Sequence, residues 1–120
     1  MKTILLIEDE SALQKTIGDA LSQEGFSVLS ALDGEVGLRL AKDKQPDVIL
    51  LDLILPKANG YDVLKSLKEQ EETKSIPVVV LTNLESMEDI QKALDLGAMA
   101  YLVKSNYTLE EVVEKVKQAL

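Results

Sequence analysis

Three carboxylates, one hydroxyl and one amine stand where chemistry would be expected. Glu8 and Asp9 follow directly on Ile4-Leu5-Leu6-Ile7, and Asp52 follows Val48-Ile49-Leu50-Leu51. Thr82 follows Val78-Val79-Val80-Leu81, and Lys104 follows Ala100-Tyr101-Leu102-Val103. Each sits at the C-terminal end of a short apolar run, so runs that pair side by side bring the five together. Carboxylates held that close repel and raise one another's pKa. A hard divalent cation relieves the repulsion, and an all-oxygen donor set without nitrogen or sulfur suits Mg²⁺. Asp52 lies in an apolar stretch, with Leu53-Ile54-Leu55-Pro56 after it. It is costly to bury there without a partner, which the cation or Lys104 can supply. A carboxylate is also a nucleophile toward phosphorus, giving an acyl phosphate. Thr82 could then donate a hydrogen bond to a phosphoryl oxygen, and Lys104 could offer a point charge to the same oxygens. Singly, a loop acid, a strand threonine and a surface lysine are ordinary. Their joint placement is what carries information.

Composition narrows the alternatives. The 120 residues contain no Cys and no His. Thiolate metal sites, disulfides and thiol nucleophiles are excluded, as are histidine general bases. Thirteen basic against 21 acidic residues give a net charge of −8, which disfavours direct binding to nucleic acid or anionic membranes. Arg39 is the only arginine, so clustered-guanidinium recognition of phosphate is absent. With 46% hydrophobic and 28% charged residues, one soluble domain spanning 1–120 is expected. The N-terminal apolar run meets Glu8-Asp9-Glu10 too soon for a signal peptide. No run approaches the ~18 apolar residues of a membrane span. A cytoplasmic protein is the simplest expectation.

The elements that must position these residues follow from hydrophobic spacing. Ile4–Ile7, Phe26–Ala31, Val48–Leu51, Val78–Leu81 and Ala100–Val103 read as strands buried on both faces. Phe26–Ala31, interrupted by Ser27 and Ser30, reads as a sheet edge. Between the runs, helical spacing links Leu13, Ile17, Ala20 and Leu21, then Val36, Leu40 and Ala41, then Val63, Leu64 and Leu67. A fourth face joins Ile90, Ala93, Leu94 and Gly97, and a fifth joins Leu109, Val112, Val113, Val116 and Leu120. Thr108 with Glu111 forms a capping box, and Gly25 and Gly97 fall where helices should stop. Strand–helix alternation repeated five times predicts an α/β, flavodoxin-like doubly wound sandwich. Its five-stranded parallel sheet has order 2-1-3-4-5 and helices on both faces. Ligands in such sheets sit beyond the carboxyl ends of the strands, where the five residues lie.

On these residues the chain resembles the receiver domains of two-component response regulators over essentially its whole length. The family's acidic pair matches Glu8-Asp9, its phospho-accepting aspartate Asp52, and its following Pro-x-x-x-Gly matches Pro56 and Gly60. Its switch hydroxyl matches Thr82, its switch aromatic Tyr101 and its lysine Lys104. The spacings from Asp52 to Thr82 and to Lys104 agree as well. The resemblance implies that Asp52 accepts a phosphoryl group from a phosphohistidine of a sensor kinase or phosphotransfer protein. Mg²⁺ would be held by Asp9, Asp52 and the backbone carbonyl of Ile54, with Glu8 acting through water. Thr82 would move toward the phosphoryl group and Tyr101 would turn inward behind it. That would remodel the face made by the fourth helix, fifth strand and fifth helix for a downstream output protein or domain. The chain would be a monomer or a phosphorylation-dependent dimer through that face. Beyond its own phosphorylation and dephosphorylation it would not be an enzyme.

Three positions depart from the family pattern. Ser105 replaces the proline that usually follows the lysine. A trans Lys104–Ser105 bond and an altered loop are therefore expected, because a cis non-proline bond costs about 2.5–4 kcal/mol. Asn83 replaces a small residue, and Glu8 is one methylene longer than the commoner Asp. Ile54 and Leu84 place apolar bulk beside the site, where they would hinder attacking water and prolong the phosphorylated state. A haloacid dehalogenase-type enzyme would need a second acid at the position of Ile54. A flavodoxin-like electron carrier would need a phosphate-cradling loop where Glu8-Asp9-Glu10 stands. A pseudo-receiver that acts by protein interaction alone, without phosphorylation, is the alternative.

Overall fold

The computed structural model describes residues 1–120. Strand β1 (Thr3–Ile7) leads through α1 (Ser11–Gln23) to β2 (Ser27–Ala31), and α2 (Gly34–Lys44) leads to β3 (Val48–Leu51). Helix α3 (Gly60–Glu69), β4 (Val78–Thr82), α4 (Met87–Asp95) and β5 (Ala100–Val103) follow. A single 3₁₀ turn at Lys104–Asn106 precedes α5 (Leu109–Ala119). All pairings are parallel, as the alternation predicts, and the strand order is the expected flavodoxin-like β2-β1-β3-β4-β5. No helix is long and apolar enough to cross a membrane.

Successive strand residues face opposite layers, which is why continuous apolar runs suit this sheet. Leu5, Ile7, Ile49, Leu51, Val78 and Val80 pack on the side of α2, α3 and α4. Ile4, Leu6, Val48, Leu50, Val79 and Leu81 pack on the side of α1 and α5, against Ile17, Leu21, Val112 and Val116. The three central strands are buried almost throughout, whereas β2 at the edge exposes Ser30. Each fully buried Leu or Ile contributes about 1.5–3 kcal/mol of transfer free energy.

Helix ends match their local chemistry. Thr108 Oγ1 accepts from the Glu111 amide at 3.1 Å while Glu111 Oε1 accepts from the Thr108 amide at 2.9 Å. Gly25 and Gly97 follow α1 and α4 with φ of +93° and +107°, left-handed values that favour glycine. The apolar faces are less complete than the spacing implies. Leu94 of α4 stays 41% exposed, and Leu109 and Leu120 at the two ends of α5 are exposed as well. Gly97 lies beyond α4 rather than on its face.

Candidate functional site

The site forms where β1, β3, β4 and β5 end. Glu8 continues β1, its amide donating to the Ala31 carbonyl at 3.0 Å. Asp52 continues β3, its amide donating to the Ile7 carbonyl at 3.0 Å. These ladder bonds set the two carboxylates on adjacent strand ends. Glu8, Asp9 and Asp52 each offer an oxygen within 4.8 Å of the others. Glu8 and Asp52 are buried, 2% and 5% exposed, while Asp9 is open to solvent.

Lys104 reaches this cluster from the end of β5. Its Nζ lies 2.7 Å from Glu8 Oε1 and 2.8 Å from Asp52 Oδ2. Each carboxylate spends its other oxygen on a local amide. Glu10 N–H donates to Glu8 Oε2 and Ile54 N–H donates to Asp52 Oδ1, both at 3.1 Å. Burial pushes the Glu8 carboxyl above its ordinary value, against the opposing pull of Lys104 and the Glu10 amide. Burial opposes the Lys104 charge too, but hydrogen bonds to Asp52 and Glu8 outweigh it, and the ammonium is held more tightly protonated than usual. Glu8, one methylene longer than the family's commoner Asp, makes a direct ion pair to Lys104.

An all-oxygen cluster of three acids fits a hard divalent cation. Asp9 is the acid with an exposed carboxylate, while Glu8 and Asp52 are tied to Lys104. Thr82 ends β4 fully buried, and its Oγ1 has no hydrogen-bond partner. An orphaned buried hydroxyl is costly. Thr82 ends the strand next to β3, at the same sheet edge as Asp52.

The loop after Asp52 is shaped by one glycine. Gly60 N–H donates to the Leu53 carbonyl at 3.0 Å. A Cβ at Gly60 would fall 2.2 Å from the Leu53 Cα, so no larger residue fits without moving the backbone. Ile54 in this loop is 53% exposed, on the rim of the site. The Lys104–Ser105 bond is trans, as expected, and the chain turns there through the 3₁₀ segment.

Tyr101 faces the core from β5. Its hydroxyl donates to the Leu84 carbonyl at 2.7 Å, and its ring packs against the α2–α3–α4 layer. Burial, then the charges of Asp89 and Asp52, push its phenol up to about 12. The inward placement expected on switching is therefore already present. Sequence reasoning missed Gln14, whose Nε2 donates to the Glu8 carbonyl at 3.1 Å and to the Ala31 carbonyl at 3.0 Å. It also missed Tyr61, whose hydroxyl donates to Asp89. Neither residue carried a motif or a spacing signal.

The sequence and the fold have counterparts among known proteins. The response regulator receiver domain model matches residues 4–117. The chain is 39% identical over its full length to the DNA-binding dual master transcriptional regulator RpaA of Synechocystis, covering 49% of that protein. It is 41% identical to the transcriptional regulatory protein CiaR of Streptococcus pneumoniae, again over its full length and 52% of that relative. The chain thus spans about half the length of these curated relatives. Among solved structures, the chemotaxis protein CheY4 of Vibrio cholerae superposes with a TM-score of 0.92 at 28% identity, covering 100% of this chain and 99% of that one. The Mn²⁺-bound form of the response regulator Rcp1 superposes with a TM-score of 0.81 at 32% identity, covering 98% and 91% of the two chains. With the family model, sequence identity and fold in agreement, the chain belongs to the receiver domain family of two-component response regulators.

Proposed function

We propose that Asp52 accepts a phosphoryl group from a phosphohistidine of a sensor kinase or phosphotransfer protein. The observation that carries this reading is the convergence of the Asp52 carboxylate with Lys104 at 2.8 Å and with two further acids. One Asp52 oxygen forms the new P–O bond, the donor's P–N bond breaks, and its electron pair stays on the donor imidazole. No base is needed on this chain, because the carboxylate is already an anion. Asp9, Asp52 and the Ile54 carbonyl would hold Mg²⁺, with Glu8 acting through water. When bound, the ion neutralises charge on the phosphoryl oxygens. Lys104, already against Asp52, supplies the second positive charge.

The orphaned Thr82 hydroxyl would donate to a phosphoryl oxygen. A hydrogen bond to a charged group is worth roughly 1.5–3 kcal/mol. Moving a two-state equilibrium from 1:99 to 99:1 takes about 5.5 kcal/mol, so bonds from Thr82, Lys104 and the Asn83 amide are of the right size. Since Tyr101 already faces inward, phosphorylation would stabilise an existing arrangement rather than create one. The face of α4, β5 and α5, where Met87, Leu94 and Met99 are exposed, would then address an output protein or domain or a second copy of the chain. Relatives of twice the length named as transcriptional regulators make a transcriptional output our choice.

Incubation with acetyl phosphate and Mg²⁺ tests the acceptor. The expected result is an acid-stable mass gain of one phosphoryl group, absent in Asp52→Asn. No gain in the wild type favours a phosphorylation-independent interaction module, and a gain surviving Asp52→Asn reassigns the nucleophile. Ile54 on the rim would shield the acyl phosphate from water, so Ile54→Asn is expected to shorten its lifetime. An unchanged lifetime would remove that role.

A further inference from the structure

We propose that Tyr61 is a coupling residue that carries changes in the phosphoacceptor loop directly to the first turn of α4, by a route separate from Thr82 and Tyr101. The proposal rests on the reading of Asp52 as phosphoacceptor. Tyr61 sits in the first turn of α3, is buried, and donates its hydroxyl to Asp89 Oδ1 at 2.5 Å. Asp89 is not an isolated acceptor. Its Oδ2 accepts from the Ser86 hydroxyl at 2.7 Å, while its amide donates to the same Ser86 oxygen at 3.1 Å. Ser86 is the N-cap of α4, so the bond from Tyr61 ends on the group that fixes where α4 begins. One turn further along α4, Lys92 Nζ lies 4.1 Å from the centroid of the Tyr61 ring. Helix α4 thus grips both the hydroxyl and the face of one aromatic side chain from α3.

The other end of the route begins at Asp52. Its Oδ1 holds the Ile54 amide, and the Leu53 carbonyl holds the Gly60 amide, which is bonded in sequence to Tyr61. The Tyr61 amide is in turn capped by Asn59 Oδ1 at 2.8 Å. The loop has no slack at Gly60, where its backbone lies against Leu53. New bonds at the Asp52 oxygens would free or shift the Ile54 amide, and the displacement would pass through the Leu53–Gly60 contact into the first turn of α3. The second route leaves Thr82 and passes the Leu84 carbonyl, where the Tyr101 hydroxyl is bound. Both routes meet at Ser86–Asp89.

The probe is beryllofluoride with Mg²⁺, read by backbone amide shifts and hydrogen exchange across Leu53–Gly60 and Met87–Asp95. Tyr61→Phe keeps the ring and removes the hydroxyl, and Asp89→Asn alters the same bond from the other side. In both variants the acceptor loop is expected to respond as in wild type, while the α4 response shrinks at least about twofold. The double variant should lose less than the sum of the two single ones, because both variants weaken the Tyr61–Asp89 bond, although Asp89→Asn also disturbs the bond from Ser86. An undiminished α4 response in Tyr61→Phe, or additive losses in the double variant, overturns the proposal while leaving the acceptor reading intact. A wild type silent at Leu53–Gly60 overturns both.

Discussion

Helices α4 and α5 flank the same edge strand and are built on opposite principles. Helix α5 buries Val112, Val113, Val116 and Ala119 and starts in a full capping box. Helix α4 buries only Ala93, leaves Met87 and Leu94 in solvent, and is held at its start by polar bonds from Ser86 and Tyr61. Apolar burial is short-ranged, cumulative and hard to re-arrange, whereas a few directional bonds can be exchanged for others of similar strength. A helix fixed in the second way belongs to the low-stability end of a fold, where switching elements are found. The part of the molecule proposed to move is the part with the least hydrophobic anchoring.

The largest effect should come from attacking the anchored helix. Val116→Asp places an unpaired charge in the α1–α5 layer and is expected to cost more than about 4 kcal/mol, close to global unfolding. Leu94→Asp on α4 should cost less than about 1 kcal/mol, since the site is half open to solvent. Chemical denaturation of the two variants measures the difference, and equal losses would erase the distinction between the helices. Thr82→Val replaces the orphaned hydroxyl with a methyl of the same shape. It should raise stability by about 1–2 kcal/mol, because an unmade buried hydrogen bond costs that much. A loss of stability there would mean that the hydroxyl already has a partner. Thr108→Ala removes half of the α5 capping box and should cost about 1 kcal/mol, with little effect on beryllofluoride response at α4.

The smallest effect at neutral pH becomes visible under alkaline conditions. The Tyr101 phenol is raised from 10.0 to about 12 on folding, so the native state keeps a proton that the unfolded chain releases. Stability must therefore fall as pH rises from about 10 to about 12. The Lys104 ammonium is raised too, and its contribution is present below the unfolded value of 10.5 and lost as pH passes its folded value. Tyr101→Phe should flatten the part of the alkaline decline that comes from the phenol. Parallel urea midpoints at pH 8 and pH 11 for the two proteins check this, and identical slopes would show that Tyr101 does not titrate late.

Much of the site was legible because its residues end strands. An apolar run followed by Asp52, and another by Lys104, places both at one sheet edge once the strand order is known; alternation gives the parallel sheet, right-handed crossovers leave few orders, and the flavodoxin-like one fits best. Thr82 was legible for the same reason, though not its lack of a partner. Glu8 was read as a metal-site acid, and the structure also gives it a direct bond to Lys104. That contact joins the ends of β1 and β5, 96 residues apart in sequence, and no spacing pattern reports it. Leu94 and Leu109 were assigned to buried faces because periodicity reports amphipathic spacing, not whether a neighbour covers the face.

Residue type and spacing along the chain determined the parallel sheet, its order, the helix stops at Gly25 and Gly97, and the edge on which the charges gather. Those are local or repetitive properties, fixed by which positions tolerate water. Only the folded structure decided that Glu8 pairs with Lys104, that Tyr101 already bonds the Leu84 carbonyl, and that Tyr61 reaches Asp89 28 residues away. Such contacts depend on where strand ends, loops and helices far apart in sequence come to rest against one another. A shift of an ångström makes or breaks them while every hydrophobic pattern in the sequence stays the same.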